Sequence, residues 1–320
     1  MTIWLRMLLI SAALMSTSAF AQTYPTRSVT IIAATTPGSL PDVLARRIGL
    51  QLSQKWGHPV VIENRPGGAY AIAASAVINA PADGYTLLVS EAGLYTTQPH
   101  LVKRRKDYSV SDLLPVTGMA SIPLSFVAHP SLGVNSISDL IALAKAKPGE
   151  INYGTTGPGT APHLGVLLLE SMAKIKMTAV HYKGVSLASN DLMAGHIPLL
   201  AIAPSLAMQA YKAGKVKILG VASTQPIAQL QGVPTVAEAV PGFEMNVSFA
   251  VFARAGTPKE VISKINADVQ QIIETPDFKK FLEPQALQPM LGSPEQLTRS
   301  LAAESGKMEK LIRDVNLSVE

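Results

Sequence analysis

The chain has 320 residues, 48% of them hydrophobic and 15% charged, and this composition excludes a disordered or fibrous protein. That length suits about two domains, each large enough to bury a core. The net charge is +5, and the absence of cysteine excludes disulfides, thiol catalysis, zinc ribbons and iron–sulfur clusters.

The N-terminal segment has the pattern of a secretory signal. Arg6 precedes an apolar run over residues 7–15, and Ala19-Phe20-Ala21 provides a small-x-small cleavage site. The run is much shorter than the ~20 apolar residues of a membrane-spanning helix, which argues against an anchor. We therefore predict a signal peptide over residues 1–21, cleavage after Ala21 and a periplasmic location.

Strands and helices alternate in the first part of the mature chain. An apolar β-branched run at 28–33 predicts a strand, and Leu44, Ile48 and Leu52 have the spacing of one face of a helix over 41–55. Further elements are predicted as a strand at 60–62, a turn at 65–68, a helix at 71–79 and a strand at 85–89. This order indicates a parallel sheet covered by helices.

The middle of the chain repeats the scheme. Strands are predicted at 126–128, 151–154, 178–182, 199–202 and 216–221, with helices at 138–147 and 162–172. Capping boxes beginning at Ser136, Thr257 and Ser293 predict further helix starts. We therefore predict an α/β fold of two similar lobes: lobe 1 at 22–120 plus about 250–320, and lobe 2 at 121–250, joined by strand crossovers near 116–120 and 221–251.

The most informative feature is a pair of glycine-containing loops at matching places in the two lobes. TTPGSLPD (35–42) follows the first strand, and TTGPGTAPH (155–163) follows its counterpart in lobe 2. Ser39 and Thr160 are predicted N-caps, whose hydroxyls would serve both helix and ligand. Each helix start has unpaired N–H groups and a positive dipole end, which suit a carboxylate. One such loop would be an ordinary turn, but its recurrence favours a small anion held between the lobes.

Other kinds of site match the sequence poorly. The segment GPGT (157–160) lacks the lysine of a phosphate loop and the third glycine of a dinucleotide fingerprint. The histidines have no metal-ligand spacing, and there is no Gly-x-Ser-x-Gly elbow. The basic run KRRK (103–106) has no interleaved aromatic residues and favours a solvated turn. We expect no catalytic residue, metal, cofactor or nucleic-acid partner.

Short segments in a fixed order extend along nearly the whole mature chain. They are YPTR (24–27), DVLAR (42–46), VIENRPG (61–67), PADGYTLL (81–88), HPSL (129–132), IALAKAKPG (141–149), NY (152–153), YKG (182–184), VPTVAEA (233–239) and AGTP (255–258). In this combination the chain resembles the Bug-type family, the periplasmic substrate-binding components of tripartite tricarboxylate transporters. The resemblance implies a two-lobed periplasmic binding protein fold of type II without catalysis. It implies membrane permease subunits as partners and di- or tricarboxylates as the usual ligands of the family. Because several residues depart from the family pattern, we expect a small organic acid or an amino-acid-like ligand here, and a monomer.

The resemblance also implies which residues meet the ligand. Backbone groups and ordered water of the first loop would grip a carboxylate, and the second loop would meet the ligand from the other side. The predicted ligand-binding residues are Thr36, Pro37, Gly38, Ser39, Tyr70, Glu91, Thr155, Thr156, Gly157, Thr160 and His163.

Several positions depart from the family pattern or allow two interpretations. Tyr70 stands in a glycine-rich stretch of the family, and it would either narrow the pocket or lie on the surface. Glu91 replaces a small polar residue; it would pair with an amine in the cleft or point into solvent, and we favour the second. Ile202 replaces a frequent aspartate, whereas Asp42 is expected to support its helix start.

Three functions are compatible with these observations. The leading hypothesis is a solute-binding protein that delivers a small carboxylate to a membrane permease. The alternatives are an extracytoplasmic sensor that docks on a sensor kinase and, less favoured, an exported hydrolase.

Overall fold

The computed structural model describes residues 24–101 and 108–318. The predicted signal peptide and the basic run at 103–106 lie outside these residues. None of the helices within the two described ranges combines the length and the apolar character that crossing a membrane requires.

The strands of the described chain form two separate sheets. In chain order they are β1 (Val29–Ala33), β2 (Val60–Asn64), β3 (Thr86–Glu91), β4 (Leu113–Pro123), β5 (Ser125–Ala128), β6 (Asn152–Thr155), β7 (Thr178–His181), β8 (Leu199–Ile202), β9 (Lys217–Val221), β10 (Asn246–Arg254) and β11 (Gln288–Pro289). The first sheet has the order β11-β4-β10-β3-β1-β2, and the second has the order β7-β6-β8-β5-β9.

Helices connect and cover the strands. They are α1 (Leu40–Trp56), α2 (Ala71–Ile78), α3 (Gly93–Thr96), α4 (Gln98–Leu101), α5 (Ile137–Ala146), α6 (Ala161–Ala173), α7 (Val185–Ala194), α8 (Pro204–Lys212), α9 (Val236–Ala239), α10 (Lys259–Ile273), α11 (Pro276–Leu282) and α12 (Pro294–Asp314). β1 pairs in parallel with β2 and β3, and β6 pairs in parallel with β7 and β8. The predicted α/β class is confirmed.

The apolar spacing of α1 explains how this helix packs. Leu44, Ile48 and Leu52 are each at most 1% exposed and pack in one core cluster with Ile31 and Leu87 of the first sheet. Burial of a leucine or isoleucine side chain contributes about 1.5–3 kcal/mol, so this face attaches α1 firmly to the sheet. The loop at the start of α1 is thereby held at the carboxyl end of β1.

Each predicted crossover segment overlaps a long strand. β4 and β10 pair antiparallel, side by side in the first sheet, with Asn246 opposite Pro123 at one end. The chain passes to the second sheet at Leu124 and returns through residues 222–245. The sequence predicted strand crossovers here but not the bounds of β4, because nearly all of this strand is buried and no alternation of apolar and polar residues marks it. The lobe boundaries stay a prediction, which this distribution of strands supports.

The three predicted capping boxes have different outcomes. Ser293 forms the full reciprocal box with Gln296 at the start of α12. Ser136 caps α5 by accepting from the Asp139 N–H, but Asp139 accepts from Asn135 instead of returning the bond. The box at Thr257 was wrong, because its hydroxyl donates to the Arg254 carbonyl and α10 starts one residue later.

Candidate functional site

A cleft of about 550 Å³ lies between the two sheets and is lined from both. One wall comes from the start of α1, the end of β3 and the helices α3 and α4. The opposite wall comes from the start of α6, the end of β8 and the start of α8. Leu124 and the segment 245–249, where the chain crosses between the sheets, complete the lining.

The cleft contains part of the predicted ligand-binding set. The predicted residues that line it are Ser39, Tyr70, Glu91, Thr156 and Thr160. The others lie in the same two loops but outside the lining: Thr36, Pro37, Gly38, Thr155, Gly157 and His163. Whether any of these residues contacts a ligand stays a prediction.

Sequence reasoning missed several lining residues. These are chiefly Thr97, Gln98, Asn246, Ser248, Leu206 and Glu304. Their positions in the cleft depend on how distant segments pack, and no local pattern marked them. Ile202, which stands where the family frequently has an aspartate, also lines the cleft.

The first loop is closed by its own hydrogen bonds. Gly38 adopts a left-handed conformation (φ 80°) and its N–H donates to Asp42 Oδ2 at 2.8 Å. Ser39 Oγ donates to the Thr36 carbonyl at 2.8 Å and lies 2.6 Å from Thr35 Oγ1. Because the Ser39 hydroxyl has a single hydrogen, Thr35 donates in the second bond. These bonds hold the loop in one shape at the mouth of the cleft.

The second loop repeats this arrangement. Gly159 is left-handed (φ 73°) and its N–H donates to His163 Nδ1 at 3.0 Å. Thr160 Oγ1 donates to the Gly157 carbonyl at 2.8 Å and lies 3.2 Å from Thr155 Oγ1. Both loops therefore use a glycine N–H, a hydroxyl and the third residue of the helix in the same way.

The two hydroxyls do not act as the sequence predicts. Ser39 and Thr160 occupy the N-cap positions of α1 and α6, but neither side chain accepts a bond from its helix. Their hydrogens are directed to loop carbonyls, which holds the oxygens away from the helix N–H groups. The first turn of each helix thus keeps backbone donors for another partner.

Asp42 is the structural centre of the first loop. Its carboxylate accepts from Gly38 N–H, from Asn64 Nδ2 at 2.8 Å and from Arg46 Nε at 3.0 Å. Burial would raise the pKa of Asp42, but the bonds from Arg46, Gly38 and Asn64 outweigh it and lower the pKa. Asn64 also donates to the Thr35 carbonyl at 3.2 Å, and the support that Asp42 was expected to give its helix start fits this geometry.

His163 takes the place of that carboxylate in the second loop. The residue is 6% exposed. Its ring centroid lies 5.4 Å from that of His181, in an edge-on contact, and 6.2 Å from that of Tyr153, in a stacked one. Burial and the neighbouring His181 lower the pKa of His163 to about 4. At neutral pH the ring is therefore uncharged, and Nδ1, which accepts from Gly159, carries no hydrogen.

Tyr70 and Glu91 meet inside the cleft. The Tyr70 hydroxyl donates to Glu91 Oε2 at 2.9 Å, and both side chains are half-buried. The favoured expectation that Glu91 points into solvent was wrong, because the end of β3 directs it between the lobes. Burial raises the pKa of Glu91, although the bond from Tyr70 acts in the opposite direction.

A second carboxylate enters the cleft from α12. Glu304 accepts from Thr96 Oγ1 at 3.4 Å, and burial raises its pKa despite that bond. The cleft lining formed by the described residues contains these two carboxylates and no lysine, arginine or histidine. Over residues 24–101 and 108–318 we also find no cluster of three or more histidine, aspartate or glutamate side chains suited to a metal ion.

The close fit at Gly159 gives a testable prediction. A Cβ at this position would lie 2.3 Å from Leu101 Cδ1, in addition to the strain of the left-handed backbone. We expect Gly159→Ala to lower the free energy of unfolding by about 2 kcal/mol in urea denaturation. Gly133→Ala is the matched control, because Gly133 has a similar φ of 76° and open space around it, and should cost ~1 kcal/mol. Equal losses would contradict tight packing at Gly159.

Two α/β lobes with a cleft between paired loops define a bilobed solute-binding protein of the periplasmic type. The sequence model described as the tripartite tricarboxylate transporter family receptor (TctC) matches residues 44–317. The chain therefore belongs to the tripartite tricarboxylate transporter receptor family, and the resemblance to Bug-type proteins is confirmed.

Individual relatives agree with this assignment. Protein BugT of Bordetella pertussis is 28% identical over 94% of this chain and 93% of its own length. The structure of Rpa4515 of R. palustris with adipate is 34% identical, with a TM-score of 0.78, over 92% of this chain and 99% of that chain. MatC of Rhodopseudomonas palustris with bound malate is 25% identical, with a TM-score of 0.74, over 90% and 100%.

Proposed function

We propose that this protein is a periplasmic receptor that captures a small organic carboxylate between its lobes and delivers it to a membrane permease. It would act as a monomer after removal of residues 1–21. The observation that carries the proposal is the pair of matching loops, which direct the starts of α1 and α6 towards one cleft.

The chemistry of those helix starts favours an anionic group. The first N–H groups of a helix lack intrahelical partners, and the helix dipole places partial positive charge there. A carboxylate accepts such bonds without any basic side chain, which agrees with the absence of one from the described lining. The similar proteins Rpa4515 and MatC hold adipate and malate, both carboxylates.

The same geometry favours binding over hydrolysis. The Ser39 and Thr160 hydroxyls, which line the cleft, donate to carbonyls of their own loops. A serine or threonine nucleophile would need a base to accept that hydrogen, and His163 is instead engaged with the Gly159 N–H. Membership in a receptor family favours delivery to a permease over the sensor alternative.

Calorimetric titration tests the proposal. The probes are unbranched monocarboxylates, dicarboxylates and amino acids of two to eight carbons, each compared with its carboxamide. We expect at least one carboxylate to bind and be recovered unchanged, and its amide to bind about ten- to a hundredfold more weakly, because a charge-assisted bond is lost. Equal binding of the amide, conversion of the ligand, or no binding across the panel would contradict the proposal.

A further inference from the structure

The charge of the cleft does not suit a ligand that is only anionic. Glu91 and Glu304 both line it, and no basic side chain of the described residues does. Within the described chain Glu91 takes part in no ion pair, and its hydrogen-bond partner is the neutral Tyr70 hydroxyl. A dicarboxylate that entered this cleft would place negative charge beside Glu91, which has no counter-charge among the described residues.

Glu91 lies close to the first of the paired loops. β1 and β3 are neighbouring parallel strands, and Ala33 pairs with Val89. Thr35 and Glu91 are each two residues beyond that pair, so both are at the carboxyl edge of the sheet. Neighbouring strands are about 5 Å apart, which places Glu91 within the length of a small molecule from the start of α1.

We propose that the ligand carries an ammonium group as well as its carboxylate, and that Glu91 is the residue that selects this amino-acid-like class. The carboxylate would lie at the helix starts and the ammonium at Glu91. This inference rests on the proposed function, since it assumes that the cleft is the ligand site, and it specifies the charge of the ligand there.

Tyr70 prepares Glu91 for this role. The Tyr70 hydroxyl donates to Glu91 Oε2, which orients the carboxylate and leaves Glu91 Oε1 to accept from a ligand donor. Burial raises the pKa of both Glu91 and Glu304, but Lys307 acts against this rise at Glu304, whereas no cation among the described residues supplies a counter-charge to Glu91. An ammonium group would provide that charge, whereas a second ligand carboxylate would be repelled.

Matched ligands test the inference. For each chain length from three to six carbons, the series contains the monocarboxylate, the dicarboxylate, and the α-amino and ω-amino acids; at six carbons these are hexanoate, adipate, 2-aminohexanoate and 6-aminohexanoate. We expect one amino acid to bind at least about tenfold more tightly than the monocarboxylate and the dicarboxylate of its length.

Variants then assign the preference to Glu91. Glu91→Gln should weaken the binding of the amino acid at least about tenfold and strengthen the binding of the dicarboxylate. Glu91→Asp should keep part of the preference for the amino acid. Glu63→Gln is the control, because it removes the same charge from an exposed carboxylate that pairs with Arg65 outside the cleft. It should leave all affinities unchanged.

The outcomes separate this inference from the proposed function. If a dicarboxylate or a monocarboxylate binds most tightly, the protein remains a carboxylate receptor and the inference is overturned. If the amino acid is preferred but Glu91→Gln does not change the preference, the assignment to Glu91 is overturned. If no ligand of any length binds, the proposed function fails, and the inference fails with it.

Discussion

Asp42→Ala should lower the free energy of unfolding by about 3 kcal/mol. The Asp42 side chain is 2% exposed and accepts from Gly38, Asn64 and Arg46, so its removal takes a buried acceptor away from three donors. The loop before α1 would lose the contacts that hold its shape. Urea denaturation followed by circular dichroism measures the change.

Asp139→Ala provides the control for that experiment. Asp139 occupies the same third position of its helix, α5, but it is exposed, and its carboxylate accepts from Asn135. Its loss should cost no more than ~1 kcal/mol. Comparable losses of unfolding free energy in the two variants would show that the hydrogen bonds to Asp42 contribute little to stability.

Stability should fall as the pH is lowered from 6.5 towards 4, and His163 should cause much of that loss. The pKa of His163 is lowered to about 4 in the folded protein, against 6.5 for the unfolded chain. Between these values the unfolded state binds a proton that the folded state does not, so acid favours unfolding. The full difference between the two pKa values corresponds to a loss of at most about 3 kcal/mol in the free energy of unfolding. Above pH 6.5 His163 causes no such loss.

His163→Asn tests this origin directly. The asparagine amide oxygen can accept from Gly159 in place of Nδ1, but it does not titrate. Unfolding free energies at pH 7, 6, 5 and 4 should therefore decline less in this variant than in the wild type. His58→Asn, at the turn after α1 and outside both loops, is the control for the substitution itself. If the free energy of unfolding falls by the same amount in His163→Asn and in the wild type, the burial of His163 does not cause the loss of stability in acid.

The two loops show what a sequence can reveal about a site. Their strand–glycine–cap–helix order is local, so the recurrence at 35–42 and 155–163 predicted two matching helix starts, and the structure has them. The direction of a hydroxyl is not local, because it depends on competing acceptors. Ser39 and Thr160 were expected to cap their helices and instead bond to loop carbonyls.

The apolar spacing of Leu44, Ile48 and Leu52 determined α1 and its buried face, since periodicity within one element follows from backbone geometry. Only the tertiary structure decided that β4 and β10 are paired strands, because their partners lie more than a hundred residues apart in the sequence. It also decided that Glu91 and Glu304 share one cleft. Each comes from a different segment, and their common environment exists only where β3, α3 and α12 pack together.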